Sequence, residues 1–506
     1  MRRLTITAGF AVLGLAMVAA GCLPNRAAVS PDGKTFYFSL NAEGGFEVKE
    51  SSNLYALDIE SARLTALTDG RVPKFWCSLS SDGGLLAYMA SSDDKDQSIC
   101  TLSLKDGVSL AATGYLQMSA YPWVIPGKPM HLLTQQQPSA GKPSQWTLHN
   151  PYVVPLGLPA DHAAVLGNGG LAMNRFAVAL LRPLPDGGSS LPGGEEDAER
   201  VEADVYVVDL TKPEAPPAKP PAPGAKPPAA AATKAGAAPA KEPWPKVVLA
   251  AKWTKQDLKD KKPIIDLAFS PDGKRLVAAI LGAGENKDEA RFFDLDPTGQ
   301  APPKVLFDAY KAYYPQVAPD GKGIVYLRTS PQDEKFREVV LWRPDAKEPV
   351  LLARLPGEMG KAYTTWFWMP DGRLRIYHLS DDGVRLVETA ADGTGAKQRL
   401  LTHERLKVQR ALADLQRALA KVPDLSQEKW PEPTAAQMKA VTDPLKNAQK
   451  PAADALEAAW KAAAVWEEVP AAIAPPAPKE PAASPAAKPA APETAPAPPP
   501  ATPAAP

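Results

Sequence analysis

The sequence predicts an all-β chain folded as a β-propeller, most simply seven blades of four strands, and three observations carry that prediction. A tight Asp-Gly turn between apolar runs recurs along the chain, its spacing is nearly constant, and a further pair of alternating stretches follows each copy. Five copies are well formed: "AAVSPDGKTFYFSL" from Ala27, "CSLSSDGGLLAYMA" from Cys77, "LAFSPDGKRLVAAI" from Leu267, "PQVAPDGKGIVYLR" from Pro315 and "WFWMPDGRLRIYHL" from Trp366. Their turn pairs are Asp32-Gly33, Asp82-Gly83, Asp272-Gly273, Asp320-Gly321 and Asp371-Gly372. Asp and Gly suit such a turn because they tolerate the positive φ it demands.

Two worn copies fill the middle of the chain: "PWVIPGKPMHLLT" from Pro122, with Gly127 at its turn, and "AAVLGNGGLAMNRF" from Ala163, with Asn168-Gly169. From Asp32 to Asp371 the seven turns lie 50, 45, 41, 104, 48 and 51 residues apart. Five of these six spacings match one four-stranded blade, about 40–50 residues. The second half of each repeat is supplied by "NLYALDIESARLTALTDG" from Asn53, "SICTLSL" from Ser98, "DVYVVDL" from Asp204, "ARFFDLD" from Ala290 and "VVLWRPD" from Val339. The long interval holds only one such set. Its surplus is a Gly-rich stretch after Pro183 and a Pro/Ala/Lys tract over 212–243, which cannot bury apolar surface and reads as a disordered insertion.

Ahead of the first repeat, Arg2 and Arg3 precede an apolar run that ends in "VAAGC" at Cys22. A basic start, an apolar stretch and small residues before the processing point form a secretory signal. The cysteine resembles that of a bacterial lipobox, whose thiol is acylated. Residues 1–21 then read as a lipoprotein signal peptide and 22–28 as a lipid tether. An uncleaved anchor, or a cleaved signal with an incidental cysteine, stays open, and each version exports the rest. The expected destination is a membrane-anchored, periplasm-facing position in a bacterial envelope.

Beyond the propeller, placed at 29–403, the period changes. Val408, Leu412, Leu415, Leu419 and Val422 step by three and four, a helical stripe ended by Pro423. Further helices are expected from Thr434 and over 452–468, so 404–468 forms a helical segment. From Val469 to Pro506 the chain is almost entirely Ala and Pro, which predicts a disordered, partly PPII-like tail.

Composition excludes more than it assigns. Lys+Arg 57 against Asp+Glu 57 leaves a formal charge of +0, so there is no electrostatic footprint for nucleic acid. The five histidines show no H-E-x-x-H spacing, no G-x-S-x-G elbow or phosphate loop occurs, and neither a metal nor a cofactor is expected. The turn aspartates read as caps of their own loops rather than a ring of ligands. Trp76, Trp123, Trp366 and Trp368 fall beside the turns on first strands, as core between blades or as an aromatic patch for a ligand. Cys77 and Cys100 fall on strands separated by 85–90. Two strand spacings of about 9–10 Å exceed the roughly 7 Å limit for a bridge, so both are expected free and buried.

"SPDGK" followed by an apolar strand, then "LYALD…LTALTDG", resembles the TolB-type, WD-repeat-like family of β-propellers over residues 27–403. The resemblance implies a disc of blades around a central channel, often used to dock peptides or other proteins. Two functions from different classes follow. One is a non-enzymatic binding or scaffold lipoprotein for an unknown protein, peptide or envelope component. The other is a propeller enzyme, a lyase or glycan hydrolase, with its site in the channel.

Overall fold

A computed structural model describes residues 27–111, the strands between 123 and 211, residues 245–420 and residues 451–470, apart from short gaps within these stretches. Among the described residues the strands form seven antiparallel sheets, all meanders in chain order except the fourth, where two short strands pair with one neighbour. Sheet 1 holds β1 (Ala27–Val29), β2 (Thr35–Leu40), β3 (Asn53–Asp58) and β4 (Leu64–Ala66). Sheet 2 holds β5 (Lys74–Leu79), β6 (Leu85–Asp93), β7 (Asp96–Ser103) and β8 (Ser109–Ala111). Sheet 3 holds β9 (Trp123–Ile125), β10 (His131–Gln136), β11 (Gln145–His149) and β12 (Val154–Pro155). In sheet 4, β13 (Ala163–Val165) and β14 (Leu171–Ala172) both pair with β15 (Arg175–Pro183), followed by β16 (Val201–Asp209) and β17 (Lys246–Trp253).

Sheet 5 holds β18 (Ile264–Phe269), β19 (Leu276–Leu281), β20 (Glu289–Leu295) and β21 (Lys304–Tyr310). Sheet 6 holds β22 (Ala312–Val317), β23 (Ile324–Thr329), β24 (Phe336–Trp342) and β25 (Val350–Pro356). Sheet 7 holds β26 (Tyr363–Trp368), β27 (Leu374–Ser380), β28 (Gly383–Thr389), β29 (Lys397–Thr402) and a late fifth strand, β30 (Glu467–Val469). First strands of neighbouring sheets meet, β1 with β5, β5 with β9 and β18 with β22, so they form the inner wall.

Apolar cores lie between sheets, as a propeller requires. Tyr37, Leu54, Cys77 and Leu86 join sheets 1 and 2, Ala279, Phe292, Ile324 and Tyr326 join 5 and 6, and Leu327, Leu355, Ile376 and Val387 join 6 and 7. The molecule is an all-β propeller. Sheets 1, 2, 4, 5, 6 and 7 share the apolar cores found among the described residues, and the expectation of seven blades is corrected to six. The third copy departs from the others in sequence, with no Asp in Pro126-Gly127-Lys128-Pro129, and its outer strands β9 and β12 have 3 and 2 residues. The 212–243 tract joins β16 to β17 within one sheet but, like Cys22, Gly127 and Asn168, lies outside the described residues.

The C-terminal segment departs from expectation. α1 (His403–Ala420) is present, but it buries Leu406, Gln409, Arg410 and Ala413, while Val408 and Leu415 are exposed. Polar atoms on the docked face decide the orientation: Gln409 Oε1 accepts from Leu64 N at 2.9 Å, and Gln409 Nε2 donates to Ala62 O at 2.8 Å. These bonds satisfy backbone groups at the outer strand of sheet 1, which apolar residues cannot do. Residues 453–463 are helical, and 467–469 form β30 rather than helix. β30 pairs Glu467 with Leu400 and Val469 with Gln398, so Val469 belongs to sheet 7. Residues 471–506 lie outside the described residues.

Candidate functional site

The repeated turns are built alike. In sheet 1, Ser30 Oγ donates to Asp32 Oδ1 at 2.6 Å, Lys34 N to the same oxygen at 3.0 Å, and Gly33 N to Ser30 O at 2.8 Å. Ser80 with Asp82 and Ser270 with Asp272 repeat the set, at 2.7 and 2.6 Å for the hydroxyl. Where Ala318 or Met369 replaces Ser, the carboxylate still accepts backbone amides, Lys322 N at 2.9 Å on Asp320 and Arg373 N at 3.1 Å on Asp371. The hydroxyl of Ser30, then the amide of Lys34, holds the Asp32 carboxyl below the usual carboxylate range. Gly33, Gly83, Gly273, Gly321 and Gly372 all have φ between 68° and 82°. These carboxylates are committed to their own loops, and Asp320 also accepts from Arg343 Nη1 at 2.6 Å. Among the described residues no group of three or more His, Cys, Asp or Glu is placed to hold a metal.

The tryptophans separate. Trp366 is buried and Trp368 half-buried in the core between sheets 6 and 7. Trp123 begins β9, and its side chain lies outside the described residues. Trp76 differs from these: it sits in a bulge of β5 with φ 49° and packs edge-on to Phe75, ring centroids 4.8 Å apart. Tyr314 occupies the corresponding bulge of β22 with φ 53°. Each lies six residues before its turn aspartate. Tyr314 N donates to the buried Asp266 Oδ2 at 2.8 Å, and its ring meets Tyr313 edge-on at 5.0 Å. Spacing from the turn could have flagged Tyr314; the strain itself has no sequence signature.

Two further features escaped the sequence. Arg375 Nη1 and Tyr377 OH both donate to Gly33 O, at 2.6 and 2.7 Å, and so fasten sheet 7 to the first turn of sheet 1. The C-terminal segment adds Trp460, fully buried against sheet 1 with Arg63 over its ring at 4.8 Å, and Trp466, whose Nε1 donates to Ile59 O at 3.1 Å. The two thiols are free and lie on β5 and β7 with β6 between them. Burial pushes the Cys77 thiol up to about 12, which makes it a packing group rather than a nucleophile, and Cys100 is half-buried.

Fold and turns define a β-propeller built of Asp-Gly meanders, an arrangement consistent with a TolB-like propeller. No family model and no curated protein matches the chain. Among solved structures it is similar to TolB from Acinetobacter baumannii, at 11% identity and TM-score 0.37, over 78% of this chain and 69% of that one. It is also similar to the β-propeller domain of the Trilobed protease from Pyrococcus furiosus, at 11% identity and TM-score 0.42, over 74% and 97%. A puromycin hydrolase follows at 12% identity and TM-score 0.44, with 75% of this chain covering 54% of that one, so the chain spans about half the hydrolase.

Proposed function

We propose that this chain is a membrane-anchored, periplasm-facing lipoprotein whose propeller is a non-enzymatic binding or scaffold module for a protein, peptide or envelope polymer. The observation that carries the reading is the matched pair Trp76 and Tyr314. Holding a bulky residue at φ near +50° costs on the order of 1–3 kcal/mol, and such strain clusters at ligand clamps. Two inner strands accept it at the same repeat position, with an aromatic side chain each time. A flat, amphipathic ring such as that of the half-buried Trp76 on an inner strand suits a peptide or a sugar polymer, whereas Tyr314, 8% exposed, packs into the core between sheets 6 and 7. In this reading an acylated Cys22 holds the body close to a bilayer.

A photocrosslinking residue at position 76, in cells, tests the binding role. We expect an adduct of discrete mass that the same residue at the exposed outer-strand position 65 does not give; equal labelling from both positions, or none, contradicts it. For the anchor, Cys22→Ala should move the protein from the membrane to the soluble fraction. Retention with unchanged mass would overturn that part.

A further inference from the structure

The sheets present two unlike ends. At one end lie the Asp-Gly turns, with Gly33, Gly83, Gly273, Gly321 and Gly372. At the other lie the β2–β3 loop over 41–52, the β4–β5 connection over 67–73, Lys311 between β21 and β22, and the start of α1 at His403. Backbone bonds knit this loop end together: Lys74 N donates to Ser52 O at 2.9 Å, Thr329 N to Lys311 O at 3.2 Å and His403 N to Asp382 O at 3.0 Å.

β1 enters from the loop end. The carbonyl of Ala27, its first residue, accepts from Tyr363 OH at 3.3 Å, and Tyr363 itself opens β26. Val29 ends the strand just ahead of the turn that holds Asp32. Because β1 is an inner strand, the chain arrives among the loops beside the inner wall rather than at the periphery. This placement limits where a lipid on Cys22 can stand. Cys22 lies five residues before Ala27, a stretch that spans about 18 Å at most. From β1 outward to β4 is three strand spacings, about 14 Å. From the loop end to the turn end is at least the length of β2, whose six residues span about 20 Å. Reaching a bilayer at the turn end requires both distances around the outside, or the second alone along the inner wall. The tether is too short for either.

We propose that the propeller rests on a lipid surface by the end at which β1 begins, the loops 41–52 and 67–73 nearest the headgroups and the Asp-Gly turns facing the aqueous side. The inference rests on the acylated Cys22 of the proposed function. Apolar exposure does not choose the end, since Val48 and Val72 stand exposed on the loops, and Val108 and Val305 toward the turns. Charge does not choose it either. Lys49 is paired with Glu43 at 2.6 Å, Lys311 with Glu334 at 2.6 Å and Arg385 with Asp382 at 2.8 Å, all at the loop end. Paired cations offer little to an anionic leaflet, so the reach of the tether sets the orientation and anionic lipid is not required. A partner arriving from the aqueous side then meets the turn end first.

The test uses the full acylated chain with a photocrosslinking residue at position 48, 72, 108 or 274, each exposed. It is reconstituted on phosphatidylcholine vesicles with and without phosphatidylglycerol, and mass spectrometry reads the protein–phospholipid adducts. Positions 48 and 72 should label several-fold more than the turn-end positions 108 and 274, and to the same extent on both vesicles. A Gly/Ser insertion of about 40 residues between Cys22 and Ala27, with a mean span of about 35 Å, should erase that preference. A preference that survives the longer tether contradicts the reach argument. Equal labelling at the two ends of the parent, or stronger labelling at 108 and 274, overturns the orientation and leaves the anchor in place. A chain whose intact mass lacks the acyl groups overturns the anchor, and the orientation with it.

Discussion

The junction of sheets 5 and 6 and the junction of sheets 7 and 1 use the same device with different strength. Arg275 Nη1 donates to Gly321 O at 2.9 Å while its Nε is braced by Asp294 Oδ1 at 2.9 Å. Arg375 repeats this on Gly33 O at 2.6 Å, braced by Glu388 Oε1 at 2.7 Å, and Tyr377 OH adds a second donor to the same carbonyl. Phe36 and Tyr377 also stack across the later junction with centroids 4.9 Å apart. The first pair joins residues 46 apart in sequence, the second residues 342 apart. Loop-closure entropy makes the longer contact more costly by about 2 kcal/mol, and the extra donor, the stacked ring and the docked C-terminal segment are on a scale to offset it. Among the described residues no sheet mixes strands from the two ends of the propeller, so closure rests on side chains and on that segment.

The sharpest way to break the stronger junction is to empty its centre. Trp460→Ala removes a fully buried ring from the core shared by Tyr55, Leu57 and Leu406 and should cost about 3–5 kcal/mol in chemical denaturation. A chain ending at residue 470 should match the full protein in the same assay, because it keeps β30. A glycine pair then compares the two junctions directly. A Cβ on Gly33 would lie 2.7 Å from the Phe367 ring, whereas one on Gly321 meets nothing within 4 Å, and both residues have φ near 70°. Gly321→Ala should cost about 1–2 kcal/mol for the left-handed backbone alone. Gly33→Ala should cost about 2–4 kcal/mol, since crowding adds to that strain. Equal losses would mean that the later junction is slack.

Between sheets 6 and 7 the join is sensitive to pH. His378 is fully buried, with Nδ1 2.9 Å from Thr364 Oγ1 and Nε2 2.6 Å from Pro356 O. Burial pushes its imidazole down to about 4, from 6.5. The unfolded chain therefore takes up a proton below pH 6.5 that the folded chain refuses until about pH 4. The stabilisation is fully present above pH 6.5 and falls with pH, by about 2 kcal/mol between 6.5 and 5. A His378→Gln variant should lose the part of the slope due to this group, so the difference between it and the parent shrinks as pH falls. A constant difference would contradict the buried neutral imidazole. The smallest effect concerns sheet 2: a thiol reagent should modify Cys100 in the native protein well before Cys77, and both only fully on denaturation.

These contrasts also mark what the sequence made legible. The turns were readable because Asp-Gly states its backbone demand in two adjacent residues, and strand order followed from their spacing. The Gly33 clamp was not, since nothing near Arg375 or Tyr377 points to a carbonyl 342 residues away. α1 was readable as a helix but not in its facing. Periodicity favoured Val408 and Leu415, yet Gln409 and Arg410 are what satisfy the backbone of β4 and of residue 51. β30 was illegible because three residues after a helix carry no alternation, and their partner strand alone makes them extended. Of the candidate binding residues, Trp76 was visible as an aromatic beside a turn, whereas its bulge and the match with Tyr314 needed the register.

Native-state hydrogen exchange tests most directly the claim that the ring is closed at sheets 7 and 1. A closed ring has no terminal blade, so amides in β2 and β28 should exchange with the same opening free energy as those in β19 and β23, near the global value. If β2 and β28 exchange through a lower-energy opening while β19 and β23 stay protected, the end sheets fray independently, and the clamp on Gly33 does not close the propeller.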